Sequence, residues 1–118
     1  MVRFVCSETD LDVFRLSALA LDHSTVAAFR RGRPGYLRPG RVLALDLSAV
    51  EFMDSAGLAE LLALARAAAE KGSELKLVAP TPDTRSLFTL VRLHRVVDIY
   101  NDLDEVKCEV AQPMSSRR

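Results

Sequence analysis

The run Val42-Leu43-Ala44-Leu45-Asp46-Leu47 is almost wholly apolar, and a long alanine- and leucine-rich segment begins a few residues later at Ser55. A strand that is apolar at successive positions is covered on both faces, which places it inside a sheet rather than at an edge. A periodic helix that follows at once supplies one of those covers. The chain is therefore held to a layered α/β architecture in which a buried strand feeds a helix through a short polar turn. That turn sets Asp54 and Ser55 where the first backbone N–H groups of the helix point outward without partners. A serine so placed is a cap, a nucleophile or a phosphoacceptor.

The remaining segments read around this unit. Val2 to Val5 and Val13 to Leu19 alternate as strands, separated by Ser7-Glu8-Thr9-Asp10. Asp22 is placed to cap a helix carrying Val26 and Phe29, which should stop near Gly32 because Gly32-Arg33-Pro34-Gly35 and Pro39-Gly40 interrupt it. Leu58, Leu61, Leu62, Ala65 and Ala69 recur at helical spacing, and Lys71-Gly72 ends that helix. Leu75 to Ala79 is a further strand. Thr81-Pro82-Asp83 opens a helix whose apolar stripe reads Leu87, Leu90 and Val91. Val96 to Tyr100 reads as an edge strand or extended segment, and Asp102-Leu103-Asp104-Glu105 as a capping box for a last helix bearing Leu103 and Val106. The order gives one α/β domain, residues 1–111, with a mixed sheet and helices mainly on one side. Residues 112–118 read as a polar tail.

Composition narrows the function. Lys plus Arg equals Asp plus Glu at 16 each in 118 residues, so no global field attracts nucleic acid or an anionic membrane. No apolar run approaches the roughly 20 residues that span a bilayer. Cys6 and Cys108 match no metal-ligand spacing and read as packed thiols of a reducing cytoplasm. Arg30, Arg31, Arg33, Arg38 and Arg41 cluster around Gly-Pro punctuation, which reads as a solvated basic connection more readily than as a patch for an acidic partner or RNA.

Met53-Asp54-Ser55-Ala56-Gly57 lacks the first glycine of a nucleophile elbow, and only His23 and His94 could serve as a base. A hydrolase is disfavoured on both counts, and each histidine reads as an ordinary surface residue. Gly57 is unusual inside a first helical turn, where it costs up to about 1 kcal/mol relative to alanine. With Ala56 and Ala59 it makes a small, nearly bare helix start that another molecule could approach closely. Ser55 is then a cap or an accessible hydroxyl at a docking surface, with the residues alone favouring neither.

The stretch Val42 to Leu58, and more loosely Glu70 to Val78 and Leu87 to Tyr100, resembles STAS domains, and within them bacterial anti-sigma factor antagonists. The resemblance implies a four- to five-stranded mixed sheet flanked by helices and a non-enzymatic, cytoplasmic regulator that binds no cofactor of its own. It implies phosphorylation of Ser55 by an anti-sigma factor serine kinase of histidine-kinase-type ATPase fold, and resetting by a serine/threonine phosphatase. Asp22, Asp46, Asp54, Ala56 and Gly57 are the residues it implies at or beside the partner-facing surface. Monomer and homodimer both stay open. Three features depart from the family pattern: Leu19-Ala20-Leu21-Asp22 stands for Gly-Glu-Leu-Asp, the Gly/Pro/Arg loop cuts the first helix short, and Arg92 stands where a glycine is common before Leu93. The first departure favours an alternative, a constitutive interaction subunit of a transporter ATPase or of a stress-signalling assembly.

Overall fold

The computed structural model describes residues 1–110, so the expected tail lies outside the described residues. A five-stranded sheet carries the domain, in the order β1 (Val2–Glu8), β2 (Leu11–Leu16), β4 (Val42–Asp46), β6 (Glu74–Val78), β7 (Asp98–Tyr100). Only β1 and β2 are antiparallel; every other neighbouring pair is parallel. The apolar β4 lies in the middle, as its composition requires. A separate two-stranded ladder pairs β3 (Ala20–Leu21) with β5 (Phe52–Met53) in parallel.

Helices α1 (Val26–Arg31), α2 (Arg33–Tyr36), α3 (Ser55–Glu70) and α4 (Pro82–Leu90) cover one face of the sheet. There Leu16, Leu43, Leu45 and Leu77 meet Phe29, Leu61, Leu64 and Phe88. The other face is covered by α5 (Leu103–Val110), whose Val106 packs against Val13, Ala44 and Val78. The expected mixed sheet with helices mainly on one side is present.

Several local expectations shift. The first hairpin turn is tighter than read, because Ser7 pairs with Asp12 and Glu8 with Leu11, leaving only Thr9-Asp10 outside the ladder. Residue Thr25, not Asp22, stands at the N-cap of α1. Asp22 closes the preceding turn, its Oδ1 accepting from the Ser24 N–H at 3.0 Å and the Ser24 hydroxyl at 2.6 Å. Beyond Gly32 the chain makes another helical turn, α2, with a proline at its start. In α4 the buried face is Thr84 and Phe88, so Leu90 and Val91 are not part of a core stripe. Cys6 is half-buried, but Cys108 is exposed rather than packed. The final helix is capped as expected, the Glu105 N–H donating to Asp102 Oδ1 at 3.0 Å.

Four of the five arginines of the cluster, all but Arg31, are anchored to buried carboxylates rather than left to solvent alone. Glu60, 2% exposed on α3, accepts from Arg30 and Arg33, with the closest contacts at 2.7 Å each. Asp12, 1% exposed on β2, accepts from Arg38 at 2.6 Å, Arg41 at 2.9 Å and the Ser7 hydroxyl at 2.6 Å. Two buried carboxylates thus pin the loop on either side of α2. On the opposite face, buried Lys76 donates to Glu74, Asp98, Glu109 and the Tyr100 hydroxyl, tying β7 and α5 to β6.

The Arg38 guanidinium, with Ser7 and Arg41, holds the Asp12 carboxyl well below the usual carboxylate range despite its burial. A carboxyl depressed in the folded state stabilises fully above its unfolded pKa, and that contribution fades as pH falls toward its folded value. Asp12→Asn should therefore cost roughly 2–3 kcal/mol at pH 7, since it leaves two arginines aimed at a site without charge. In urea unfolding the gap to the parent should narrow steadily below about pH 4. A gap independent of pH would show that the ion pairs are not the source of the stability.

Candidate functional site

The site lies where β5 turns into α3. Asp54 has an extended backbone, φ −107° and ψ −173°, and caps the helix, its Oδ1 accepting the Gly57 N–H at 3.0 Å. Its other oxygen accepts the His23 N–H at 3.1 Å and lies 3.2 Å from His23 Nδ1. These contacts, led by the Gly57 amide, hold the Asp54 carboxyl below its ordinary range. Asp22 is likewise held down by the Ser24 hydroxyl and amide. Both are thus ionised at neutral pH.

Because Asp54 does the capping, Ser55 does not. Its side chain is exposed and makes no hydrogen bond or ion pair among the described residues. Neither histidine reaches its hydroxyl, so no base–nucleophile pair is assembled. No group of ligating side chains with metal-binding arrangement occurs among the described residues, and no described helix is long and apolar enough to cross a membrane.

Gly57 has a different reason from the one expected. It is buried, and a Cβ there would lie 2.1 Å from the Leu21 carbonyl oxygen and 2.8 Å from Met53 Cγ. The molecule that approaches closely is the chain itself: β3 runs against the first turn of α3. Ala56, half-buried beside it, belongs to the same turn.

Asp22 and Asp54 are brought together, Asp22 and His23 forming the turn that meets Asp54. Asp46 is not. Its Oδ1 accepts the Ser48 N–H at 2.8 Å and its Oδ2 the Arg15 Nε–H at 3.2 Å. Strand alternation sets Asp46 and Arg15 with Ala44 and Val13, on the face covered by α5, away from α3.

Beside Ser55 runs a groove of about 280 Å³ between α3 and the chain after α4. Leu58 and Leu62 of α3 line one wall, and Val91, Leu93 and Val96 the other. Arg92 lines it too, in a left-handed backbone with φ 56° and ψ 43°. Such a conformation costs a residue with a Cβ roughly 1 kcal/mol that glycine would avoid. Around this end of the domain large apolar side chains face solvent: Leu90 is 80% exposed, Val96 64%, and Leu19 and Phe52 more than half. Singly such residues are ordinary, but Val91 and Val96 are both exposed and line the apolar groove, and a continuous apolar surface of that kind is what an interaction site presents.

Sequence reasoning missed this apolar rim and the role of His23. Leu87 and Leu90 have helical spacing and so read as core. Leu87 does pack against the core, but the i, i+4 pair Thr84 and Phe88 was the signal that the buried face of α4 turns away from Leu90.

The family model described as the Mlab STAS domain matches residues 13–98. No curated protein shows a significant match. A putative anti-sigma factor antagonist from Thermotoga maritima is 25% identical over 92% of this chain and 93% of its own, with a TM-score of 0.78. An anti-sigma factor antagonist from Mycobacterium paratuberculosis is 25% identical over 95% of this chain and 96% of its own, with a TM-score of 0.78. The Bacillus cell fate determinant SpoIIAA in its phosphorylated form shares the fold, at 23% identity over 93% of this chain and 99% of its own, with a TM-score of 0.63.

Proposed function

Since the chain belongs to the STAS domain family and resembles anti-sigma factor antagonists in structure, we propose that it is a non-enzymatic regulator of that kind, switched at Ser55. The observation that carries this reading is the division of labour at the start of α3. Asp54 satisfies the helix, leaving the Ser55 hydroxyl unpaired, exposed and beside an apolar groove. A hydroxyl so placed is open to an enzyme, and a change in its charge falls on the surface where a partner docks.

In the unphosphorylated state the protein binds an anti-sigma factor serine kinase through the rim formed by Leu19, Phe52, Leu90, Val91 and Val96, and the sigma factor is released. The kinase supplies ATP and magnesium. Ser55 Oγ attacks the γ-phosphorus, the new O–P bond forms as the bond to the β-phosphate oxygen breaks, and ADP leaves. The hydroxyl proton passes to a base of the kinase. A serine/threonine phosphatase restores the hydroxyl. All of this takes place in the cytoplasm.

The cognate kinase with ATP should place one phosphate on the protein, and mass spectrometry of its peptides should locate it at Ser55. Phosphate at another residue, or none with a kinase active on a control substrate, would sink the switch. The match to the Mlab STAS domain, together with Leu19 standing exposed in the segment that departs from Gly-Glu-Leu-Asp, favours the second reading. On that reading the same apolar rim holds a transporter ATPase or a stress-signalling assembly permanently. Co-purification with such a partner, unaffected by Ser55→Ala, would select it.

A further inference from the structure

The groove beside Ser55 is apolar except for two residues of its lining, Ser55 and Arg92. Arg92 is exposed, and its guanidinium makes no hydrogen bond or ion pair among the described residues. By contrast Arg30, Arg33, Arg38 and Arg41 are all engaged by buried carboxylates. The backbone around Arg92 is fixed, its N–H donating to the Thr89 carbonyl at 3.1 Å and its carbonyl accepting the Arg95 N–H at 3.1 Å. An arginine is thus held in left-handed backbone, on the lip of a groove whose lining offers it no carboxylate.

We propose that Arg92 is the internal receiver of the phosphate on phosphorylated Ser55, forming a latch across the groove. The inference rests on the reading of Ser55 as phosphoacceptor and adds how that modification acts. A guanidinium presents parallel N–H donors that match two phosphate oxygens, and phosphorylation characteristically orders structure by creating such pairs. The surrounding charges push the same way. Asp54, adjacent to Ser55, and Asp22 stand ionised and repel a phosphate, with the His23 ring lying against Asp54. Arg92 shares the groove lining with Ser55, and neither His94 nor Arg95 lines it. The phosphate is drawn over Leu58, Leu62 and Leu93, so the groove is closed by the protein's own ion pair as well as recharged.

The test uses protein with phosphoserine installed at position 55 during translation, which removes the kinase from the experiment. The second ionisation of that phosphate is followed by phosphorus NMR against pH. Arg92→Gln and Arg92→Gly should each raise its pKa by about half a unit relative to the arginine protein, the effect of losing one partly exposed opposite charge. Arg95→Gln should leave it unchanged. Glutamine keeps the side-chain bulk and glycine relieves the backbone, so a folding defect in one leaves the other to decide. Titrations of both Arg92 variants that superimpose on the parent overturn the latch, and so does an equal shift in Arg95→Gln. A kinase that fails to modify Ser55 would overturn the proposed function while leaving this result standing.

Discussion

Gly57→Ala should be among the most damaging single substitutions in the domain, although alanine is the better helix former by about 1 kcal/mol. The added Cβ would sit 2.1 Å from the Leu21 carbonyl oxygen and 2.9 Å from its carbon. The Met53 side chain, 2.8 Å away, is flexible and can move aside. The Leu21 backbone cannot, because Leu21 pairs with Met53 in the β3–β5 ladder and its side chain is fully buried. Relief requires α3 and β3 to separate at the point where Asp54 and His23 meet, so the damage reaches the turn that presents Ser55. Overpacking of this kind, against backbone rather than side chain, should cost roughly 3 kcal/mol or more in urea unfolding followed by circular dichroism. Gly35→Ala provides the contrast, since a Cβ there meets nothing within 4 Å, and it should be close to neutral. Equal stability of the two variants would show that β3 and α3 are not packed as described.

The features legible in the sequence are those set by local periodicity and local capping chemistry. The β4–α3 unit, the glycine stop after α3, the Thr81-Pro82 helix start and the Asp102 cap depend on residues within a few positions of each other, and all are present. What the sequence concealed depends on partners about thirty residues away. Arg30 and Arg38 look like solvated charges until Glu60 and Asp12 are placed beside them by the fold. Two-residue strands such as Ala20–Leu21 and Phe52–Met53 have no periodicity to detect and exist only because tertiary structure aligns them.

The site shows the same division. Ser55 and Asp54 were found because the strand–turn–helix pattern is local, and their closeness to Asp22 comes with the fold. The resemblance sets Asp46 beside them, yet strand alternation turns it to the other face, where Arg15 holds it. Gly57 stands out in the sequence as a helix breaker open to an outside partner, while in the fold the chain's own Leu21 fills the space. The exposed apolar rim was hidden by a different ambiguity: leucine and valine at helical spacing look alike whether they face a core or a partner.

Phosphorylation of Ser55 should weaken binding to the cognate kinase at least about a hundredfold, which corresponds to about 2.7 kcal/mol. The modification adds close to two negative charges beside ionised Asp54, at the mouth of a groove whose walls are apolar. A partner covering the rim must desolvate that charge, which can cost several kcal/mol when no opposite charge of the partner meets it. The domain itself should be almost indifferent. The α3 cap is Asp54 accepting from Gly57, so neither the phosphate nor Ser55→Ala removes a hydrogen bond that the fold uses. Both forms should therefore melt within a few degrees of the parent, as changes at exposed sites away from packed features do. Calorimetric titration then separates the effects. Ser55→Ala should bind the kinase as tightly as the parent and stay bound in ATP, whereas the phosphoserine protein should release it. Leu90→Asp with Val96→Asp should reproduce the loss of binding without phosphate or loss of stability, because both side chains already face solvent. Tight binding by the phosphoserine protein would mean that the partner docks elsewhere and that the hydroxyl beside the groove is not a switch.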